Sequence, residues 1–271
     1  MSKTWFITGA GRGFGREFAK AALGRGDAVA ATARETAALA DLVADYGDRL
    51  LPLALDVTDR ESVFAAVATA KEAFGGLDVV VNNAGYGLFG AVEELTPEQL
   101  QAQLDVNLFG PLHVTQAVLP ILREQSHGHI IQISTVGGVA AFPILGGYHA
   151  SKWALEGLTE SLAQEVAGFG VAVTLVEPAG YATDWGGASA TWAEALPEYQ
   201  AIKEEVFATG GGLQNDPASV GPAILAVADA AEPPSRVFFG TQGLQLAEPL
   251  YAQRLKTWRD GQAISALAEG K

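Results

Sequence analysis

Thr8-Gly9-Ala10-Gly11-Arg12-Gly13-Phe14-Gly15 is the stretch that decides the fold, because it joins a short apolar segment to an amphipathic one. Residues 4–8 predict a strand, and residues 14–25 predict the helix that follows it. Glycines at such a junction allow a tight turn and let backbone N–H groups at the helix N-terminus approach a pyrophosphate. The stretch therefore indicates a dinucleotide-binding β-α unit.

Beyond this loop, short apolar runs alternate with longer amphipathic runs through most of the chain. The alternation is typical of repeated β-α units on a parallel sheet. We expect one domain over residues 1–271, a Rossmann-type doubly wound parallel α/β sheet with helices on both faces. The predicted strands are residues 4–8, 28–33, 51–55, 79–82, 129–134 and 172–177. The predicted helices are residues 14–25, 37–46, 62–74, two segments within 97–123, and 148–167.

Two segments do not follow the alternation. Residues 184–215 are rich in Gly, Ala and aromatic residues and follow a predicted strand end, where open α/β sheets bind ligands. We expect a substrate lid there, with a variable surface loop as the alternative. Glycines 210–212 would be its hinge or a flexible connector. Residues 247–271 predict a helical tail that covers the site, contacts a neighbouring subunit, or does neither.

Composition excludes several kinds of function. The chain of 271 residues contains no cysteine, which excludes disulfide and thiolate chemistry. Its formal net charge of −14 argues against a nucleic-acid partner. No apolar run approaches the roughly 18–20 residues of a membrane helix, and no signal-peptide pattern is present, so we expect a cytoplasmic protein with no membrane partner. The histidines lack metal-ligand spacing, and we expect no metal.

Tyr148 and Lys152 lie four residues apart in a segment that predicts a helix, so they share one helix face. A free tyrosine titrates near pKa 10, which is too high for easy proton exchange at neutral pH. A nearby ammonium favours the phenolate and lowers that pKa, which makes tyrosine usable as a general acid or base. The same spacing also occurs in ordinary surface pairs, so its meaning depends on the surrounding motifs.

Several of those motifs resemble the short-chain dehydrogenase/reductase family. The loop glycines follow its G-x-x-x-G-x-G spacing, and Asn82-Asn83-Ala84-Gly85 resembles its N-N-A-G signature. Asp56-Val57 resembles its adenine contact, although an aspartate after a strand can also cap a helix. Pro178-Ala179-Gly180-Tyr181-Ala182-Thr183 resembles its P-G-x-x-x-T motif, with Ala179 replacing the usual glycine. The cofactor contacts that the resemblance implies are Thr8, Gly9, Gly11, Arg12, Gly13, Phe14, Gly15, Arg34, Asp56, Val57, Asn83, Ala84, Gly85, Tyr148, Lys152, Pro178, Gly180 and Thr183.

The end of the second predicted strand favours NADP(H) over NAD(H). NAD-binding relatives carry an acid there for the ribose 2′-hydroxyl, whereas this chain has Ala33 followed by Arg34. Arg12 in the glycine loop adds a second guanidinium, a group that binds phosphate with two hydrogen bonds. Glu35 is the contrary feature, since it lies about 20 residues beyond the last loop glycine, where an acid for the ribose is expected.

The resemblance also implies a catalytic set. Tyr148 would be the acid/base, and Lys152 would lower its pKa and bind the nicotinamide ribose. Asn107 would anchor a water chain to the lysine. The usual serine hydroxyl lies 13 residues before the tyrosine, which gives Thr135, with Ser134 as the second choice. Threonine has the same donor and acceptor capacity, but its methyl group narrows the pocket.

We therefore expect a carbonyl reductase or alcohol dehydrogenase, and the motifs most resemble the branch that includes 17β-hydroxysteroid dehydrogenase-like proteins. Phe142, Trp185 and Trp192 would line an apolar ketone pocket. A 3-oxoacyl-thioester reductase is the alternative within the same chemistry, although an acidic carrier protein would suit a net charge of −14 poorly. A non-catalytic NADP-binding sensor is the alternative of another class. The family usually forms homodimers or homotetramers.

Overall fold

The computed structural model describes residues 2–182, 184–187, 189–210 and 215–270. Strands and α-helices alternate along the chain. The strands are β1 Thr4–Ile7, β2 Ala28–Ala33, β3 Leu50–Ala54, β4 Val79–Asn82, β5 Leu88–Phe89, β6 Gly128–Ile133, β7 Val171–Pro178, β8 Thr191–Trp192 and β9 Arg236–Phe239. The α-helices are α1 Gly13–Arg25, α2 Ala40–Tyr46, α3 Arg60–Phe74, α4 Pro97–Leu104, α5 Gly110–Gln125, α6 Gly146–Val166, α7 Gln200–Gly210, α8 Val220–Asp229, α9 Gln242–Asp260 and α10 Gln262–Ala268.

Seven of the strands form one parallel sheet in the order β3-β2-β1-β4-β6-β7-β9. The chain starts at β1, extends the sheet to β3, then returns to place β4 on the other side of β1. This reversal opens a crevice at the carboxyl ends of β1 and β4, where sheets of this kind bind ligands. β5 and β8 pair with each other in a separate two-stranded sheet. The predicted fold class is confirmed.

The two faces of the sheet have separate hydrophobic cores because side chains alternate along each strand. Trp5 and Ile7 of β1 pack into the core that includes residues of α1 and α8. Phe6, between them, packs into the opposite core with residues of α3 and α5. All three side chains are fully buried, as expected for a strand covered by helices on both sides.

The sequence did not identify the last strand, β9, which forms the edge of the sheet beside β7. Its apolar run is only three residues long, Val237-Phe238-Phe239, and two prolines stand shortly before it, so the sequence signal for a strand is weak. The first strand ends at Ile7, one residue before the predicted end. The two helices predicted within residues 97–123 are joined by one turn of π-helix at Asp105–Phe109, which the apolar periodicity could not reveal.

Within the described residues, no helix is both long and apolar enough to cross a membrane. In that same part of the chain, no cluster of three or more histidine or carboxylate side chains could hold a metal ion.

Gly15 is the loop glycine with the least room for a side chain. A Cβ atom there would lie 2.5 Å from the Gly9 carbonyl oxygen and 2.5 Å from Asn83 Nδ2. We expect Gly15→Ala to lower the free energy of unfolding by about 1–3 kcal/mol, the usual cost of overpacking. Gly24→Ala on the same helix is the control, because nothing lies within 4 Å of its Cβ position. Urea denaturation measures both variants, and equal stabilities would contradict this packing.

Candidate active site

The glycine loop forms one wall of a cavity of about 1180 Å³ at the carboxyl ends of the strands. Gly9 and Gly13 adopt left-handed backbone angles, with φ of 67° and 55°, which side chains other than glycine rarely adopt. α1 begins at Gly13, and no side chain caps its N-terminus. The first backbone N–H groups of a helix lack partners within the helix and carry partial positive charge, so they can bind an anion.

Asn83 and Thr8 hold the loop against the end of β4. Asn83 Nδ2 donates to the carbonyl oxygens of Thr8 (2.9 Å) and Gly9 (3.2 Å). The Thr8 hydroxyl accepts from the backbone N–H groups of Asn83 and Ala84 at 2.9 and 3.0 Å. These hydrogen bonds join the end of β1 to the end of β4. Asn83 of the N-N-A-G stretch therefore shapes the glycine loop as well as the cavity.

Arg12 and Arg34, from the loop and from the end of β2, both line this cavity, as does Glu35. The side chain of Arg34 is exposed and makes no hydrogen bond or ion pair with any described residue. Arg16, one turn into α1, is instead bound to Asp41 and to the carbonyl of Ala38. Asp56 and Val57 line the same wall, and Asp56 Oδ1 accepts from the backbone and hydroxyl of Thr58.

Tyr148 and Lys152 lie on one face of α6 and are only 6% and 5% exposed. Lys152 Nζ donates to the carbonyl oxygen of Ile133 at 2.8 Å, which ties α6 to the end of β6. Burial lowers the pKa of Lys152 to about 8, and the Glu156 carboxylate opposes that change. The ammonium is therefore easier to deprotonate than an ordinary lysine.

The pKa of Tyr148 differs from the sequence prediction. Burial raises it above the ordinary tyrosine value, and a hydrogen bond with the Thr135 hydroxyl opposes the rise. The sequence predicts a lowered pKa from the Lys152 charge, whereas burial of the phenol raises it in the folded chain. Tyr148 consequently keeps its proton at neutral pH.

Thr135 and Ser134 point to different neighbours. The Thr135 hydroxyl lies beside Tyr148, accepts from the Gly137 N–H at 3.2 Å and approaches the Pro178 carbonyl oxygen at 3.5 Å. The Ser134 hydroxyl is buried on the Glu156 side of the strand end. Of the two, Thr135 is the hydroxyl that the structure brings to the tyrosine.

Asn107 sits in the π-helical turn between α4 and α5 and is fully buried. Its Nδ2 donates to the Tyr86 carbonyl oxygen (3.0 Å) and to Ser151 Oγ (3.1 Å), and its Oδ1 accepts from the Tyr86 N–H. A Cβ atom at Gly85 would lie 3.1 Å from Asn107 Oδ1 and 3.7 Å from Lys152 Nζ. Asn107 and Lys152 thus face the same small space.

The three aromatic residues predicted to line the substrate pocket do not all border the cavity. Trp185 lines the cavity, and its ring lies 4.8 Å from that of Tyr148, centroid to centroid. Trp192 stacks on Phe89 at 4.5 Å and is 45% exposed. Phe142 is tied to α6 through its N–H, which donates to His149 Nε2 at 3.0 Å. Only Trp185 among the three borders the main cavity.

Pro178 and Gly180 bring the end of β7 beside this region. Gly180 has a φ of 65°, and its carbonyl oxygen accepts from the Asn215 N–H at 2.7 Å. Asn215 Nδ2 also donates to the carbonyl oxygens of Ala179 and Gly180. Thr183 and the glycines at 211 and 212 lie outside the described residues.

Comparison with known proteins gives the same assignment as the motifs. The family model described as short chain dehydrogenase matches residues 3–194. The chain belongs to the short-chain dehydrogenase family. An oxidoreductase of Botryotinia fuckeliana, BOA17, is 42% identical, and the match covers 98% of this chain and 100% of that protein.

Solved structures of the family share the fold. A short-chain dehydrogenase from Streptomyces avermitilis superposes with a TM-score of 0.91 at 37% identity, covering 98% of each chain. One from Burkholderia cenocepacia, in complex with NADP, has a TM-score of 0.76 at 27% identity over 94% of this chain and 95% of that one. A 3-ketoacyl-(acyl-carrier-protein) reductase from Brucella melitensis, in complex with NADH, has a TM-score of 0.74 at 25% identity over 88% and 97%.

In this short-chain dehydrogenase, the segment predicted as a lid is anchored by a buried ion pair. Glu94 Oε1 contacts Lys203 Nζ of α7 at 2.5 Å and accepts from the Leu196 N–H at 2.7 Å. β8 pairs with β5 through Thr191, and both Thr191 and Trp185 line the cavity. Burial opposes ionisation of Glu94, but Lys203 and two backbone N–H groups outweigh it and lower its pKa.

Sequence reasoning missed the residues that support the short-chain dehydrogenase site from behind. His149 joins α6 to the loop after β6, since its Nδ1 lies 2.9 Å from the Gly137 carbonyl oxygen and its Nε2 accepts from Phe142. Ser151 receives the Asn107 amide and donates to the Tyr148 carbonyl at 2.7 Å. Both flank known motif positions, but only the folded helix shows what they contact.

Proposed function

We propose that this protein is an NADP(H)-dependent oxidoreductase that transfers hydride between nicotinamide and a ketone or secondary alcohol. The observation that carries the proposal is the buried Tyr148–Lys152 face, with Thr135 beside the phenol, tied to the end of β6 at the edge of the sheet where the parallel strands end. A buried phenol beside a half-buried hydroxyl and a buried ammonium suits a reaction in which negative charge develops on a carbonyl oxygen.

The residues present fit a dinucleotide. A Cβ atom at Gly9 would lie 3.0 Å from Ala84 Cα, and one at Gly11 would lie 3.1 Å from Ala38 Cβ, so larger residues would fill the cradle. The uncapped N-terminus of α1 offers backbone donors for phosphate, and Arg12 and Arg34 offer cations at the same wall. The NADP complex of the Burkholderia cenocepacia relative supports this choice, while the NADH complex of the Brucella melitensis reductase shows that the fold also admits NADH.

The nicotinamide, when bound, supplies the hydride chemistry, and the chain supplies orientation and a proton. In the reducing direction, Thr135 and Tyr148 donate hydrogen bonds to the carbonyl oxygen and so stabilise the developing alkoxide. Tyr148 then gives up its proton to that oxygen. Its raised pKa suits this role, because the phenol is protonated at neutral pH. The Lys152 ammonium stabilises the phenolate that remains. Asn107 faces the same small space as Lys152, and the proton of Tyr148 is replaced through that space.

Trp185 supports an apolar ketone as the substrate. Its ring centroid lies 4.8 Å from that of Tyr148 and 5.0 Å from that of Phe89. A substrate carbonyl that reaches Tyr148 therefore meets an aromatic surface. The anchored segment that carries Trp185 then acts as the substrate lid. Apolar walls with a few convergent polar groups are usual for small-molecule sites.

Tyr148→Phe removes the proposed acid and leaves the ring in place. We expect kcat/KM for ketone reduction to fall by about 10²- to 10⁴-fold, the usual contribution of a general acid. NADPH binding, followed by fluorescence, should remain close to that of the wild type. Tyr46→Phe, on α2, is the matched control and should keep its activity.

Full activity in Tyr148→Phe would contradict the proposed acid. NADPH binding by the wild type without turnover of any ketone in a broad panel would instead favour a non-catalytic sensor.

Arg34→Ala tests the choice of nucleotide. We expect NADPH affinity to fall roughly 10- to 100-fold because a charge-assisted contact to the 2′-phosphate is lost, with little change for NADH. Arg16→Ala is the control, since that guanidinium is already bound to Asp41 and to the Ala38 carbonyl. Isothermal titration calorimetry measures the affinity of each variant for NADPH and for NADH. Equal losses of affinity for the two nucleotides would count against a 2′-phosphate contact.

A further inference from the structure

A third titratable side chain continues the Tyr148–Lys152 row on α6. Glu156 lies four residues after Lys152, one turn further along the same face. It is 6% exposed, and neither of its carboxylate oxygens has a hydrogen-bond partner among the described residues. Burying a carboxylate without hydrogen bonds is costly, so its charged neighbours must account for its position.

Charged groups from three elements surround this carboxylate. Lys152 precedes it on α6, and Arg236 of β9 approaches from the other side, with Nη1 3.5 Å from Glu156 Oε2. The same guanidinium binds Glu177 of β7 at 2.9 Å and also binds Glu160, one turn further along α6.

Ser134 supplies the polar neighbour at the end of β6. A Cβ atom at Gly138 would lie 2.5 Å from Ser134 Oγ and 2.8 Å from Glu156 Oε1, so the two oxygens border the same space. Burial raises the pKa of Glu156, and Ser134, Arg236 and Lys152 oppose that rise. Glu156 is thus a buried carboxylate placed between two cations, one of which belongs to the proposed catalytic pair.

We propose that Glu156 is a positioning residue that keeps Lys152 in its charged form. The inference rests on the proposed function, because the charge of Lys152 matters there for stabilising the Tyr148 phenolate. Burial alone favours the neutral amine, and Glu156 is the group that opposes this effect. Arg236 in turn favours the ionised form of Glu156 against the nearby carboxylate of Glu160. Arg236 of β9 therefore stabilises the Glu156 carboxylate, and that carboxylate in turn stabilises the charge of Lys152 on the catalytic face of α6.

Loss of the Glu156 charge should shift the pH dependence of ketone reduction in one direction only. Removing a negative charge lowers the pKa of every neighbouring acid, whether ammonium or phenol. The first proton of the coupled Tyr148–Lys152 pair is then lost at lower pH, whichever residue loses it. Reduction needs the phenol protonated and the lysine charged. The alkaline limb of its pH profile should consequently move to lower pH.

Glu156→Gln is the test, with kcat/KM for ketone reduction measured across pH. We expect the alkaline limb to move down by about one pH unit, the usual scale for a nearby charge. Glu160→Gln is the matched control, because Glu160 lies on the same helix and binds the same Arg236, but is 62% exposed. Its alkaline limb should stay at the wild-type position. An unmoved limb in Glu156→Gln, or equal shifts in the two variants, would overturn the proposal.

A second measurement needs no substrate and separates this inference from the proposed function. Selective isotope labelling of lysine, with the signal assigned by its loss in Lys152→Met, gives the Lys152 titration by NMR. Its midpoint should fall in Glu156→Gln and stay unchanged in Glu160→Gln, even if no ketone is reduced. Glu156→Met removes the same charge with an apolar chain, should the glutamine variant fold poorly. An unchanged Lys152 midpoint in a folded, uncharged variant would refute the proposal.

Discussion

The proposed function places one constraint on the whole molecule: an ammonium must stay charged where almost no water reaches it. Lys152 is 5% exposed, so its charge is stable only if fixed protein groups replace the lost solvation. The Ile133 carbonyl provides one such group and the Glu156 carboxylate another. Their placement requires β6 to end beside α6 at a defined position. The parallel sheet provides that position, because β6 is fixed between β4 and β7.

The same strand ends position the remaining groups. The glycine loop follows β1, Asn83 follows β4, Thr135 lies two residues after β6, and β7 ends at Pro178. Parallel strands bring these ends to one edge. Local hydrogen bonds then fix each group, as Asn83 does for the loop and Asn107 does for Tyr86. The short-chain dehydrogenase site is therefore assembled by the sheet topology and then fixed by hydrogen bonds from the adjoining loops and turns.

Sequence reasoning was most successful where a physical pattern is local. The strand and helix alternation predicted the doubly wound sheet. The resemblance to the short-chain dehydrogenase family, with its 13-residue spacing, gave Thr135, whose hydroxyl lies beside Tyr148. It failed where the answer depends on burial or distant contacts. The raised pKa of Tyr148 follows from the packing of α6 against the sheet, and Glu156 acquires its setting only when β9 brings Arg236 beside it. β9 itself was missed because its apolar run is only three residues long and closely follows two prolines.

The central claim is that Tyr148 and Thr135 together bind the oxygen that receives the proton. A crystal structure with NADPH and a slowly reduced ketone tests it most directly. The account predicts that the carbonyl oxygen lies within hydrogen-bond distance, about 2.5–3.0 Å, of both Tyr148 Oη and Thr135 Oγ1. A carbonyl oxygen bound to Ser134, or to neither hydroxyl, while the ketone occupies the cavity would contradict it.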